Sequence, residues 1–131
     1  MKKTGILNKD ISELIASMGH FDTITVCDAG LPIPDEVWRI DLAVRSGMPE
    51  LLSVLKAVAD DLEVQQIILA EELPENNQEL DQSIRTIFST AEVIYVPHKE
   101  FKARSHESKA IIRTGECTPY ANVILVSGVT F

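Results

Sequence analysis

The chain has 131 residues, 45% of them hydrophobic and 24% charged, which is the size and composition of one compact domain with its own core. Its 12 Lys and Arg against 20 Asp and Glu give a formal net charge of −8. Because such a charge repels phosphate backbones and anionic bilayers, we expect neither nucleic acid nor a membrane as a partner.

The N-terminal segment, the hydropathy and the isolated cysteines of the sequence predict a cytoplasmic protein. Asp10 and Glu13 interrupt the N-terminal segment before an apolar signal core could form. No apolar run approaches the roughly 20 residues that a membrane helix needs. Cys27 and Cys117 stand alone, without a CxxC pair or a histidine cluster at metal spacing. We therefore expect no metal site.

The hydrophobic pattern alternates between the periods of helices and strands along the chain. In chain order it predicts a helix over 11–18, strands over 23–27 and 38–44, a helix over 51–62, a strand over 65–70, a helix over 75–88, a strand over 92–96, a helix over 98–108, and strands over 110–114 and 122–128. Asn8 or Asp10 can cap the first helix, and Gly19 is a natural stop. The DAGLPIP segment that follows residues 23–27 breaks the first strand.

Six strands interleaved with helices predict a three-layer α/β/α fold, a single domain over residues 1–131 with a mostly parallel six-stranded sheet. The two closing strands flank the loop from Gly115 to Pro119 and look like a hairpin. Their direction, parallel or antiparallel, stays open at this point.

The candidate residues stand at or close to predicted strand ends, where ligands of α/β proteins bind. They offer hydrogen-bond donors and acceptors suited to neutral hydroxyls. They are Asp28, His98, Lys102, Tyr120, Ala121 and Asn122. Four of them have a structural alternative. Asp28 could cap a turn, Asn122 could satisfy one, and the helix face with His98 and Lys102 could simply be solvated.

His20 lies just beyond the end of the first predicted helix. Its imidazole can both give and take a proton at neutral pH. A lone histidine at a helix end is, however, more often structural, because it interacts with the helix dipole. Residue type alone leaves both interpretations of His20 open.

Several sequence segments spread over the whole chain form a specific set. They are LNKDIS, GHFDTITVCDAGLPIP, RIDLAV, the AEE after the third strand, HKEFK, IIRTGECTPYANVIL and the terminal GVTF. With these segments the chain resembles the ribose pyranase and fucose mutarotase family, and the ribose branch more than the fucose branch. The resemblance implies interconversion of the pyranose and furanose forms of D-ribose, in the cytoplasm and without a metal or a cofactor.

The same resemblance implies a role for each candidate residue. His20, in GHFDT, is expected to be the catalytic proton donor. Asp28, in VCDAGLP, His98, in PHKEF, and Tyr120–Asn122, in PYAN, are expected to bind the sugar, and Lys102, in the HKEFK segment, joins this set. The resemblance further implies a homo-oligomer, a decamer of two stacked pentameric rings.

The spacing of His20 and Asp28 predicts a site shared between subunits. At about 3.3 Å per extended residue, a strand between them holds the two side chains roughly 20 Å apart in one protomer. Both side chains cannot contact one pentose at that distance. We therefore expect His20 of one subunit to complete a pocket whose Asp28 belongs to its neighbour.

Two alternative functions remain at this stage. Five of the 12 basic residues fall between Lys99 and Arg113, so a phosphosugar isomerase is one alternative. No GxGxxG or GxxxxGKS phosphate loop accompanies them. The other alternative is a non-catalytic ribose-binding accessory of uptake.

Overall fold

The computed structural model describes all 131 residues and confirms the single α/β domain with a six-stranded sheet. None of its helices combines the length and the apolar character needed to cross a membrane. The elements are α1 (Lys9–Ala16), β1 (Thr23–Cys27), β2 (Trp38–Asp41), α2 (Leu51–Asp61), β3 (Val64–Ala70), α3 (Glu72–Asn76), α4 (Gln78–Ile87), β4 (Glu92–Val96), α5 (His98–Ser105), β5 (Ala110–Arg113) and β6 (Val123–Ser127).

The strand order across the sheet is β2-β5-β1-β6-β3-β4. The pairs β2 with β5, β5 with β1, and β3 with β4 are parallel, which confirms the mostly parallel sheet. Strand β6 runs antiparallel to both of its neighbours, β1 and β3. Five strands therefore share one direction and β6 alone opposes them.

The prediction that the two closing strands form a hairpin is wrong. Strand β1 lies between β5 and β6 and is bonded to both. The loop over residues 114–122 carries the chain past β1, so that β6 can occupy the centre of the sheet. All five residues of β6 are buried, and a central position is the one that buries an apolar strand on both faces.

Two element boundaries differ from the predicted ones for identifiable reasons. Strand β2 ends at Asp41 because its only partner, β5, offers four paired residues, and Val44 beyond it is exposed. The helix predicted over 75–88 is two helices, because the Asn77 side chain accepts the N–H of Leu80 and caps α4. An N-cap starts a new helix and ends the continuity of the preceding one.

Buried apolar side chains form one cluster on each face of the sheet, which confirms the three layers. The larger cluster joins the sheet to α1, α2 and α4 through residues such as Leu14, Leu55 and Ile84. The smaller cluster lies on the opposite face and is centred on Phe101 of α5. The sheet is thus held rigidly between helices.

The strand directions define two edges of the sheet with different chemistry. The border of the sheet that is formed by the strand ends at which β1 to β5 finish and β6 begins is called here the carboxyl edge. At the opposite, amino edge, β1 to β5 begin and β6 ends. Segments that are far apart in the sequence therefore meet at the carboxyl edge, and this meeting positions the candidate site.

Candidate active site

The cleft at the carboxyl edge contains the polar residues that the sequence analysis selected there. Asp28 follows β1, His98 begins α5 after β4, and Tyr120 and Asn122 precede β6. These four side chains and Lys102 line one cavity of about 360 Å³. The structure thus brings five of the six selected residues together, as the strand-end rule predicts.

Asp28 and Asn122 are locked together by paired hydrogen bonds. The amide oxygen of Asn122 accepts the Asp28 main-chain N–H at 2.9 Å, and its Nδ2 donates to Oδ2 of Asp28 at 3.1 Å. Oδ1 of Asp28 accepts the N–H of Gly30 at 2.9 Å. Asn122 is completely buried, so its amide fixes the direction in which the Asp28 carboxylate faces the cleft.

His98 occupies the first position of α5 and packs between two aromatic rings. Its ring stacks near Phe101 at 6.3 Å between centroids and meets the edge of Tyr120 at 5.1 Å. Its main-chain N–H donates to the Glu72 carboxylate. Its Nδ1 is buried without a hydrogen-bond partner, which leaves Nε2 as the ring nitrogen available to a ligand.

Tyr120 adopts a left-handed backbone with a φ of 62°, a conformation unusual for a bulky residue and frequent at functional sites. The main-chain N–H of Asn122 donates to the Tyr120 carbonyl at 2.9 Å and closes this tight turn. Ala121, between them, is fully buried and packs in the larger core cluster. Ala121 does not line the cavity, and the structure gives it no exposed surface with which to contact a ligand.

Glu116 was not selected from the sequence, although it lines the adjoining cavity of about 390 Å³, which shares Asp28 and Gly30 with the first. Its carboxylate accepts hydrogen bonds from the Thr118 hydroxyl at 2.8 Å and from the main-chain N–H groups of Leu51, Cys117 and Thr118 at 3.2–3.3 Å. Burial acts to raise the pKa of Glu116, but these bonds outweigh it and the pKa lies below its ordinary value. The sequence feature that could have identified Glu116 is an acidic residue within the loop from Gly115 to Pro119.

The two cysteines lie in different surroundings. Cys27 is buried at the end of β1, and this burial raises the pKa of its thiol to about 12, which makes it an inert part of the core. Cys117 is an exposed loop residue whose Sγ lies 3.2 Å from the hydroxyl of Ser46. No three His, Cys, Asp or Glu side chains converge as ligands for a metal ion.

His20 lies at the amino edge, and the structure does not bring it to the cleft of its own protomer. It is exposed, its ring stacks on Phe21 at 3.9 Å, and its Nε2 donates to the Gln65 amide oxygen at 2.8 Å. It lines a separate cavity of about 510 Å³ together with C-terminal residues that include Phe131. His20 and Asp28 therefore flank β1 on opposite edges of the sheet.

The basic stretch from Lys99 to Arg113 does not form a single phosphate site. Arg104 pairs with Glu100 at 2.7 Å, Lys109 with Asp22 at 3.3 Å, and Arg113 with Asp41 at 3.1 Å. Lys109 and Arg113 also lie at opposite ends of β5. Most of this positive charge is neutralised within the chain, which argues against the phosphosugar alternative.

The fold and the cleft define an α/β protein with a polar, ligand-sized cleft at the carboxyl edge of its sheet. Residues 1–130 match the RbsD / FucU transport protein family, and the chain belongs to that family. It is 56% identical over 131 residues to D-ribose pyranase of Geobacillus kaustophilus (strain HTA426), covering all of this chain and 96% of that protein.

Two further relatives extend this agreement. D-ribose pyranase of Glaesserella parasuis serovar 5 (strain SH0165) is 50% identical over 139 residues, across the full length of both proteins. The solved structure of Bacillus subtilis RbsD complexed with D-ribose is similar with a TM-score of 0.96, at 44% identity and over the full length of both chains. The family resemblance noted in the sequence is thereby confirmed.

Proposed function

We propose that this protein is a D-ribose pyranase, an isomerase that interconverts the pyranose and furanose forms of D-ribose in the cytoplasm. The observation that carries the proposal is the single cavity in which Asp28, His98, Lys102, Tyr120 and Asn122 meet. The names of the relatives at 50–56% identity and the ribose complex of the Bacillus subtilis structure support the choice of sugar.

The chemistry of the cleft suits an uncharged pentose. Carboxylate, imidazole, phenol and ammonium groups supply acceptors and donors for the several hydroxyls of a sugar, while the buried Asn122 amide holds the Asp28 carboxylate in place. A buried hydroxyl without a partner would cost about 1–3 kcal/mol, so binding and specificity both require such a dense polar set.

Interchange of ring size requires opening and reclosing of the hemiacetal. The anomeric hydroxyl loses its proton, the bond between the anomeric carbon and the ring oxygen breaks, and the ring oxygen gains a proton. The free aldehyde then recloses through a different hydroxyl, which gives up its proton as the aldehyde oxygen takes one. A positioned acid–base pair would accelerate this by about 10²–10⁴-fold.

We assign the general acid for the ring oxygen to His20 of a neighbouring subunit. The role of His20 as proton donor is the one that the family resemblance implies, and its placement in a neighbouring subunit rests on the opposite positions of His20 and Asp28 at the two edges of one sheet. A contact between the amino edge of one protomer and the carboxyl edge of the next would bring them together. The proposed homo-oligomer, a decamer of two pentameric rings, would repeat that contact around each ring.

The experiment is saturation-transfer NMR on equilibrated D-ribose with the wild-type protein, His20→Ala and His106→Ala. We expect the wild-type protein to accelerate pyranose–furanose exchange and His20→Ala to lose about 100-fold or more of that acceleration. His106 is an exposed histidine at the end of α5, so His106→Ala is the matched control and should retain full activity.

Three results would overturn parts of this proposal. Binding of ribose without faster exchange would make the protein a non-catalytic accessory of uptake. Activity on ribose 5-phosphate but not on ribose would restore the phosphosugar alternative. Unchanged exchange in His20→Ala would remove His20 as the general acid.

A further inference from the structure

Glu72, the last residue of the AEE segment, is bonded to the main chain of His98. Both of its carboxylate oxygens accept the His98 N–H, Oε1 at 3.1 Å and Oε2 at 2.9 Å. The two residues are 26 positions apart in the sequence. This bond connects the first residue of α3, which follows β3 in the chain, to the first residue of α5, which follows β4.

The start of α5 needs this external acceptor. Its N-cap position is occupied by Pro97, which provides no side-chain cap. The first N–H groups of a helix have no partner within the helix, and a negative charge beside them is favourable. Glu72 therefore acts from another helix as the cap that Pro97 cannot be.

The position of the His98 ring depends strongly on this main-chain bond. A functional imidazole is commonly oriented by a hydrogen bond on the nitrogen that does not meet the ligand. In His98 that nitrogen, Nδ1, is buried and has no partner. The ring is placed by its packing on Phe101 and Tyr120 and by the position of its own main chain, which Glu72 holds.

We propose that Glu72 is a positioning residue for His98, and through the first turn of α5 also for Lys102, in the sugar cleft. This inference rests on the proposed function. A displacement of a substrate-holding group by about 1 Å can cost up to about 100-fold in rate. The bond to Glu72 is the side-chain contact that holds the His98 main-chain N–H in this structure.

The test compares Glu72→Ala and Glu72→Gln with the control Glu71→Ala. Glu71 is exposed, and its main-chain N–H, which donates to Val96, survives the substitution. We expect Glu72→Ala to lower kcat/KM for ribose exchange by about 10–100-fold, with KM rising more than kcat falls, because His98 holds substrate hydroxyls. Glu72→Gln retains one acceptor oxygen and should stay within about three-fold of the wild-type value, as should Glu71→Ala.

A double-mutant cycle separates positioning from a general loss of stability. If Glu72 acts through His98, adding Glu72→Ala to His98→Ala should change ribose affinity by less than about two-fold, whereas independent effects would add. The His98 ring signals in ¹H–¹³C spectra without sugar should shift in Glu72→Ala and remain in place in Glu71→Ala. If Glu72→Ala does not fold, Glu72→Asp, which withdraws the carboxylate by one methylene, replaces it with the same expectations.

The possible outcomes distinguish this inference from the function on which it rests. An active wild-type protein in which Glu72→Ala matches Glu71→Ala, or in which the two substitutions of the cycle simply add, overturns the role of Glu72 alone. Failure of Glu72→Gln to restore kcat/KM also overturns the positioning role. A wild-type protein that does not accelerate exchange overturns the proposed function, and the ring signals still decide whether Glu72 positions His98.

Discussion

Asn122 is the residue on which the geometry of the cleft depends most directly. Its neutral amide is completely buried and pairs with both the main-chain N–H and the carboxylate of Asp28. An amide offers an acceptor and a donor on two separate atoms of one planar group, as this pair of bonds requires. A substitution that preserves the shape of Asn122 but not this donor therefore tests the pair.

The first prediction concerns Asn122→Asp, which replaces the donor Nδ2 by an oxygen facing Oδ2 of Asp28. Two carboxylates at this distance repel each other, so we expect a loss of about 2 kcal/mol or more of unfolding free energy at pH 7.5. The pair takes up a proton as the pH falls, and the loss relative to wild type should shrink at pH 5. Urea unfolding at the two pH values measures this difference.

The matched control is Asn8→Asp at the N-cap of α1, where the Asn8 side chain accepts the N–H of Ile11. Asp serves as well as Asn at an N-cap, so this variant carries the same added charge with little change in stability. An Asn122→Asp variant whose loss is equal at both pH values would show that repulsion from Asp28 is not its cause.

The residues of the cleft could be predicted from the sequence to the extent that each one follows or precedes a strand. Asp28, His98 and Asn122 satisfy this condition, and one rule of α/β architecture selects them. Glu72 escaped prediction because it accepts a main-chain N–H of a segment that is distant in sequence, and Glu116 because it joins its own loop to the distant N–H of Leu51. Only the folded chain shows which N–H groups a carboxylate can reach.

At the scale of the element, the loop over residues 114–122 decides both the topology and the site. It has to pass over β1 to place β6 in the centre of the sheet, and the sequence allows a hairpin equally well. At Gly115 the loop packs directly against the main chain of Met48, so that an added Cβ would lie 2.3 Å from the Met48 carbonyl oxygen. Glycine is therefore required there by a close main-chain contact rather than by an unusual φ angle.

Glu116 is the second fixed point of this loop, and the next prediction concerns its titration. Its pKa in the folded protein lies below the ordinary value of 4.5, so the stability it contributes is complete above that value and is lost as the pH falls through the lowered folded pKa. Glu116→Gln cannot titrate. We expect it to be about 1 kcal/mol less stable than wild type at pH 7.

The difference in stability between Glu116→Gln and wild type should narrow as the pH falls from 6 to 3, which urea unfolding midpoints across that range can follow. Glu36→Gln is the control, since Glu36 is exposed and the same charge is removed without a bonded loop. A constant difference between Glu116→Gln and wild type across the range would contradict the assigned role of the carboxylate.

At the scale of the whole molecule, the two edges of the sheet carry complementary parts of one proposed site. The carboxyl edge has the polar cleft, while the amino edge presents His20 together with the exposed aromatic residues Phe21 and Phe131. A contact between two different surfaces of identical chains is heterologous and closes only as a ring. A ring is therefore the closed assembly that would repeat the proposed contact between His20 of one subunit and Asp28 of the next.

The last prediction tests this division of the site by complementation. His20→Ala and Asp28→Ala should each be inactive alone, because every site then lacks one partner. The two variants are then unfolded together in equal amounts and refolded into mixed rings. In such rings an intact His20 meets an intact Asp28 at about a quarter of the contacts, so the mixture should recover up to about a quarter of the wild-type exchange rate. Saturation-transfer NMR on D-ribose provides the rate, and each variant refolded alone provides the background. A mixture no more active than these backgrounds would place His20 and Asp28 in separate functions, since random mixing of subunits must otherwise create intact pairs.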